Sequence, residues 1–196
     1  TTVTYATGAA ISVDSASDSL NLNATVVSSA GMLKLGGGTL IYSGTASNSG
    51  SGTITYGMST GTTNVLEGTL QLNKFSGSIV ALSGTTIIGN NDGGAGAAKV
   101  EFTGLSTAET SSSVGITVNR SGILDLQGAS DTMAGLTIVD GALINTGMLG
   151  TLTVTGLAMT GGRVDMGSGT LNLSGNFTYN SGAPATIDGF LDPTGT

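Results

Sequence analysis

A glycine followed by an apolar, polar, apolar alternation recurs along this 196-residue chain. It stands as AGMLKL at 30–35, GGTLIY at 37–42, EGTLQL at 67–72, SGILDL at 121–126, DGALIN at 140–145, GGRVDM at 161–166 and SGTLNL at 168–173. Longer windows such as TNVLEGTLQL (63–72) and ITVNRSGILDL (116–126) read strand, tight polar turn, strand. The turn glycines are Gly31, Gly68, Gly122, Gly141 and Gly162; the last three lie 19 and 21 residues apart. That spacing sets a period near twenty, and the wider gaps before Gly68 and Gly122 are expected to span about two and three periods. Repeats of that length point to a solenoid or an array.

Side chains alternate between the two faces of a strand. The alternation therefore assigns Leu33, Leu35, Leu70, Leu72, Leu124, Leu126, Val164, Met166, Leu171 and Leu173 to a core ladder. The residues between them, Lys34, Gln71, Asp125, Asp165 and Asn172, are assigned to the wet face. Ile144 breaks the rule, because it occupies the position of Asp125 and Asp165 in its own copy. One such unit cannot bury its leucines alone, whereas copies stacked at about 4.8 Å place leucine over leucine. The reading is all-β: a parallel β-helix, or β-solenoid, with coils of about twenty residues and glycines that allow positive φ at the corners. At 20–22 residues per coil the chain holds about nine coils, roughly 40 Å of axis. SGTASNSGSG (43–52), GNNDGGAGAA (89–98) and STAETSSS (106–113) read as loops leaving the coil. Residues 1–196 form one solenoid domain or a segment of a longer repeat protein, and 183–196, with Pro184 and Pro193, are expected to leave the regular stack. Two Ig-like sandwiches would demand a repeat near half the chain and aromatic anchors, and neither is visible.

Composition narrows the function. Hydrophobic residues are 38% and charged residues only 9%, so Gly, Ser, Thr and Asn carry the polar surface and little helix is expected. The net charge is −7, and Lys34, Lys74, Lys99, Arg120 and Arg163 are scattered, which leaves no basic patch for nucleic acid. Aromatics are 4% with no Trp, so a stacking platform for bases or sugars is not expected. The chain has neither Cys nor His, which removes disulfides, the usual zinc ligands and the commonest general base. No apolar run approaches the length of a transmembrane helix. The five methionines besides Met32, namely Met58, Met133, Met148, Met159 and Met166, are read as core filler.

Three features touch on chemistry. Asp125 and Asp165 occupy matching positions about 10 Å apart on a stacked sheet, a separation that glycoside hydrolases use. Without a cleft or a sugar platform they are expected to be a solubilising face. GNNDGGAG (89–96) offers Asn90, Asn91 and Asp92 as oxygen ligands for calcium, but turn chemistry explains the same residues and no cofactor is expected. Asn21, Asn23, Asn73, Asn145 and Asn172 lie in or beside strands, where stacked amides form hydrogen-bond ladders.

NVLEGTLQLNKFSG (64–77) and GTLNLSGNFTYNSG (169–182) resemble the strand repeats of bacterial autotransporter passenger domains and related large surface proteins. The resemblance covers most of the chain. It implies a right-handed parallel β-helix, secretion to the cell surface, and a role in adhesion, aggregation or matrix building. No GDSGS-like stretch is present, and a serine-protease triad cannot form without His. The expectation is a non-enzymatic extracellular structural or adhesive protein, a stalk whose partners are a host or neighbouring cell surface or further copies of itself. A self-assembling filament, sheath or surface layer is the alternative, and a polysaccharide-cleaving β-helix enzyme a more distant one.

Overall fold

The computed structural model describes residues 2–5, 9–28, 32–44, 58–59, 63–75, 77, 79–82, 84–104, 107–147, 149–180 and 183–193. The architecture is all-β, and no helix occurs among the described residues. Parallel strands stack as a β-solenoid with about 21 residues per turn. The first coils contribute β1 (Thr2–Tyr5), β2 (Ala10–Ser12), β3 (Ser19–Asn23), β4 (Thr25–Ser28), β5 (Leu33–Leu35), β6 (Thr39–Gly44), β7 (Met58–Ser59), β8 (Thr63–Val65) and β9 (Gly68–Lys74). Next come β10 (Thr86–Ile88), β11 (Ala98–Phe102), β12 (Gly115–Asn119) and β13 (Gly122–Asp125). The remaining strands are β14 (Asp131–Val139), β15 (Ala142–Ile144), β16 (Thr151–Met159), β17 (Gly162–Tyr179) and β18 (Ala185–Pro193). β14, β16, β17 and β18 are long enough to bend across more than one face.

The chain lays down three faces in rotation. The first holds β1, β4 and β7, then the Leu82–Thr110 bridge, then one arm each of β14, β16, β17 and β18. The second stacks β2, β5, β8, β10, β12 and the later arms of β14, β16 and β17. The third stacks β3, β6, β9, β11, β13, β15 and the opening arms of β17 and β18. Register places like residues over like. On the third face Leu20, Leu40, Leu70, Val100, Leu124, Leu143, Val164 and Ile187 form one column. On the second face Ile11, Lys34, Val65, Ile88, Val118, Ile138, Met159 and Tyr179 form another. Between the ends most of these side chains are fully buried, and each buried aliphatic contributes about 1.5–3 kcal/mol relative to exposure.

Five expectations change. There are about seven turns, not nine. The early coils are longer: Leu40 to Leu70 and Leu70 to Val100 are each thirty residues in register, against nineteen from Leu124 to Leu143. Leu33 and Leu35 are only half-buried, while Met32 and Lys34 point into the core. AGMLKL is therefore not a third-face copy. It belongs to the second face, and the third-face strand of that coil is β6, with Leu40 and Tyr42 inside. Residues 185–193 do not leave the stack, because β18 pairs with β17 across two faces. STAETSSS does not leave the coil throughout, since Glu109 and Thr110 are buried and Ala81 and Leu82 both donate to Glu109 O.

The corner glycines work in two ways. Gly68 and Gly162 take φ of 65° and 85°, a region closed to most side chains. Gly122 and Gly141 have ordinary φ, but a Cβ there would overlap Ile88 O and Asn119 O of the preceding coil. At Gly141 the positive φ belongs to its neighbour Asp140. Gly31 and the stretch 45–52 lie outside the described residues.

Candidate functional surfaces

Of the assigned ladder, Leu70, Leu72, Leu124, Leu126, Val164, Met166, Leu171 and Leu173 are buried. Met32, Met133, Met159 and Met166 pack among them. The outer side of the third face is where the acids gather. Gln71, Glu101, Asp125, Ile144, Asp165 and Asp188 run in one column. Asp125 and Asp165 thus share a column, with Ile144 between them.

Asp125 is not on a wet face. It is 1% exposed, and its carboxylate accepts from Thr146 N, Thr146 Oγ1 and Gln127 N while Lys99 Nζ lies 3.1 Å away. Thr146 and Gln127 fold over the strand and close it off. Lys99 Nζ also meets Glu101 at 2.7 Å. Both Glu101 oxygens accept amide protons, from Gln71 Nε2 at 2.5 Å and Gln127 Nε2 at 2.8 Å. Partial burial works against the Lys99 ammonium, but hydrogen bonds to Glu101 and Asp125 outweigh it and hold the pKa above its ordinary value. Every group in this network is satisfied, so it stitches β9, β11, β13 and the 145–146 turn together. A catalytic carboxyl would need a lone pair facing a substrate. Asp165 pairs with Arg163 and accepts Gly167 N. Asp125→Asn keeps one acceptor oxygen for Thr146 and Gln127 but turns an amide N–H toward Lys99 Nζ in place of the oxygen that accepts from it, while Lys99 retains Glu101. The expected loss is about 1 kcal/mol, read as a small drop in denaturation midpoint.

Asn90, Asn91 and Asp92 sit in a turn held by their own backbone, Ser121 and Arg120. Asn90 Oδ1 accepts Asp92 N, an Asx turn, and Ser121 Oγ accepts the amides of Asn90 and Asn91. Asn91, at φ 71°, accepts Arg120 N on its side chain, and its carbonyl accepts the Arg120 guanidinium. Among the described residues no group of three or more acids could hold a metal ion.

The asparagines do not form one continuous ladder. Asn21 accepts Ser43 Oγ. Asn145, 7% exposed, accepts Gly128 N at 2.6 Å and donates to Met166 O at 3.3 Å, which links neighbouring coils on both sides.

Sequence reasoning missed the charges inside the solenoid. Lys34 is 0% exposed, and its ammonium donates to Leu35 O and Gly36 O, both at 2.7 Å, and to Glu67 O at 3.1 Å. Lys74 donates to Ser43 O at 2.8 Å. Burial lowers the pKa of both, opposed by Glu67 at Lys34 and by Glu109 at Lys74. Glu109 is 0% exposed; its Oε1 accepts Lys74 N, and its buried Oε2 meets no partner. Asp131, 4% exposed, accepts Thr110 N and Thr132 N. Desolvation raises Glu109 to about 8, helped by the Asp131 charge and opposed by the Lys74 amide and ammonium. Desolvation likewise raises Asp131 to about 6 against its hydrogen bonds.

Two surface depressions carry little chemistry. One of about 450 Å³ lies between Phe102, Thr103, Gly104 and Thr107 on one side and Gln127–Ser130 on the other, and no charged side chain among the described residues lines it. Another of about 440 Å³ opens at the end of the stack over Met159, Phe177, Tyr179 and Ile187. No helix among the described residues is long and apolar enough to cross a membrane. No protein-family model matches the chain, and neither a curated protein nor a solved structure matches it significantly.

Proposed function

We propose that the chain is a non-enzymatic extracellular structural or adhesive protein of bacterial surfaces, a β-solenoid stalk for attachment, aggregation or matrix building. The observation that carries this reading is the pair of ladders that run the length of the stack with each outer acid network internally satisfied. Such a body resists bending and proteolysis, because each coil is hydrogen-bonded to both neighbours and its strands are buried on one side. Its outer faces offer repeated, nearly flat polar rows rather than a cleft. Kinship with autotransporter passengers fits the same use, and it rests on the strand repeats at 64–77 and 169–182.

Beads carrying the purified chain are expected to clump or to adhere to bacterial or host cells. Beads carrying Leu124→Asp, which breaks a ladder, are expected to do neither. Equal adhesion by the two, or release of reducing sugar from any acidic or neutral polysaccharide, would overturn the proposal.

A further inference from the structure

Three aspartates are followed directly by glycine: Asp92, Asp140 and Asp188. In such a pair no side chain on the glycine hinders its amide nitrogen from turning toward the aspartate carboxyl. The fold treats the three pairs differently. Asp92 and Gly93 stand exposed in the turn of the 89–97 loop. A Cβ on Gly94 would meet nothing within 4 Å, and one on Gly93 would meet only Ala97 Cβ, so the turn has room to rotate. Asp92 N donates to Asn90 Oδ1 and fixes the start of the turn. Among the described residues nothing binds the Asp92 carboxylate or the Gly93 amide. Gly141, by contrast, is buried, with Asn119 O and Val118 O where a Cβ would stand, and Asp140 is bridged to Asn119. Asp188 and Gly189 lie inside β18, where Asp188 is paired in register with Asp165. Asp14 and Asp18 are exposed, but each precedes serine, and their carboxylates accept the hydroxyls of Ser12 and Ser17.

We infer that the Asp92–Gly93 peptide is a self-modification site, the one place where the folded chain converts aspartate to isoaspartate through a cyclic imide. The Gly93 nitrogen attacks Cγ of the protonated Asp92 carboxyl. An N–C bond forms, a C–O bond of the carboxyl breaks, and the carboxyl hydroxyl leaves as water with the amide proton. Water then adds back to the five-membered ring. Addition at Cγ restores aspartate. Addition at the α-carbonyl breaks its bond to Gly93, frees an α-carboxylate and routes the chain through Cβ and Cγ. Water is released and consumed in equal amount, so no co-reactant is needed and the mass of the chain does not change. The product lengthens the backbone by one methylene and moves the carboxylate. Gly89 N donates to Val65 O at 2.8 Å and Ala98 N to Ser121 O at 3.0 Å, so both feet of the loop are tied to the stack and the change is absorbed between them. The loop is thereby remodelled irreversibly with age while the ladders beneath it persist. This inference is independent of the stalk reading.

The test is incubation of the full chain in mildly acidic buffer at body temperature, once folded and once in denaturant, followed by peptide mapping. Trypsin places Asp92, Asp140 and Asp188 on separate peptides, 75–99, 121–163 and 164–196. Isoaspartate leaves each mass unchanged, shifts its elution and blocks an endoproteinase that cuts before aspartate. In the folded chain isoaspartate is expected at 92 roughly tenfold faster than at 140 or 188, because only there is the glycine free to turn. In denaturant the three sites are expected to react at similar rates. Asp92→Glu disfavours the ring by enlarging it and is expected to remove the new 75–99 species, with circular dichroism and denaturation midpoint unchanged. Folded chain that stays unmodified at 92 overturns the inference. So does equal reaction at 140 or 188 in the fold, a preference for 92 that persists in denaturant, or a new 75–99 species that survives in Asp92→Glu. Bead adhesion is read separately, and none of these outcomes decides it.

Discussion

Raising the pH from 5 to 9 is expected to weaken the solenoid by about 4 kcal/mol, and Glu109→Gln is expected to remove most of that slope. Glu109 rises from an ordinary 4.5 to about 8, and Asp131 from 3.8 to about 6. A carboxyl whose pKa is raised in the fold contributes stability fully below its unfolded value. That stability is lost as pH climbs through the folded value, because the unfolded chain ionises first. The window therefore opens near pH 4, closes near pH 8, and the stability is flat above it. Glu109 sets the upper end: its Oε2 is buried without a partner, so ionisation places a charge where only the Lys74 ammonium and the Lys74 amide oppose it. Gln is nearly isosteric, keeps an acceptor for Lys74 N and cannot ionise. The variant should match wild type near pH 5 and exceed it by a few kcal/mol near pH 8.5. The remaining slope, confined to pH 4–6, belongs to Asp131. Denaturant midpoints measured at constant ionic strength decide the matter; identical slopes for the two proteins would show that Glu109 ionises at an ordinary pH.

Much of the architecture was legible because the third face obeys one rule. Gly68, Gly122, Gly141 and Gly162 each open a strand whose second residue after the glycine is buried, and stacking those strands requires parallel register. The rule misled at Gly31, where AGMLKL copies the pattern on a different face. A signal was available: GGTLIY follows only seven residues later, and one coil has a single third-face strand. Leu40 then aligns with Leu70, and Met32 and Lys34 fall on the inward side of β5. Asp125 was placed in water because alternation reports which side of a strand a residue takes, not what folds over that side. Thr146 and Gln127 cover it from separate turns. Glu109 gave no signal at all. It sits in a run of Ser and Thr, and its burial depends on Lys74, thirty-five residues earlier.

Lys34→Ala is expected to destabilise the solenoid by about 3–5 kcal/mol, and Lys34→Met by markedly less. Lys34 sits between Ile11 and Val65 in the second-face column, where every other side chain is hydrophobic. Its methylene stem fills the column, and its ammonium caps three carbonyl oxygens at the corner between β5 and β6 and at Glu67 of the next coil. Alanine removes both contributions: it leaves a void beneath Val65 and takes the donor from all three carbonyls. Methionine restores most of the volume and removes only the donor, at about 1–3 kcal/mol for acceptors buried at a corner, some of which water can reach. Comparing the two separates packing from capping. If both variants lost the same stability, capping would be the dominant role of Lys34. If methionine matched or exceeded wild type, the desolvation of the ammonium, which already lowers its pKa, would outweigh the three hydrogen bonds it makes. Each buried ammonium sits where the backbone turns and frees carbonyls: Lys34 caps Leu35 O and Gly36 O, and Lys74 caps Ser43 O.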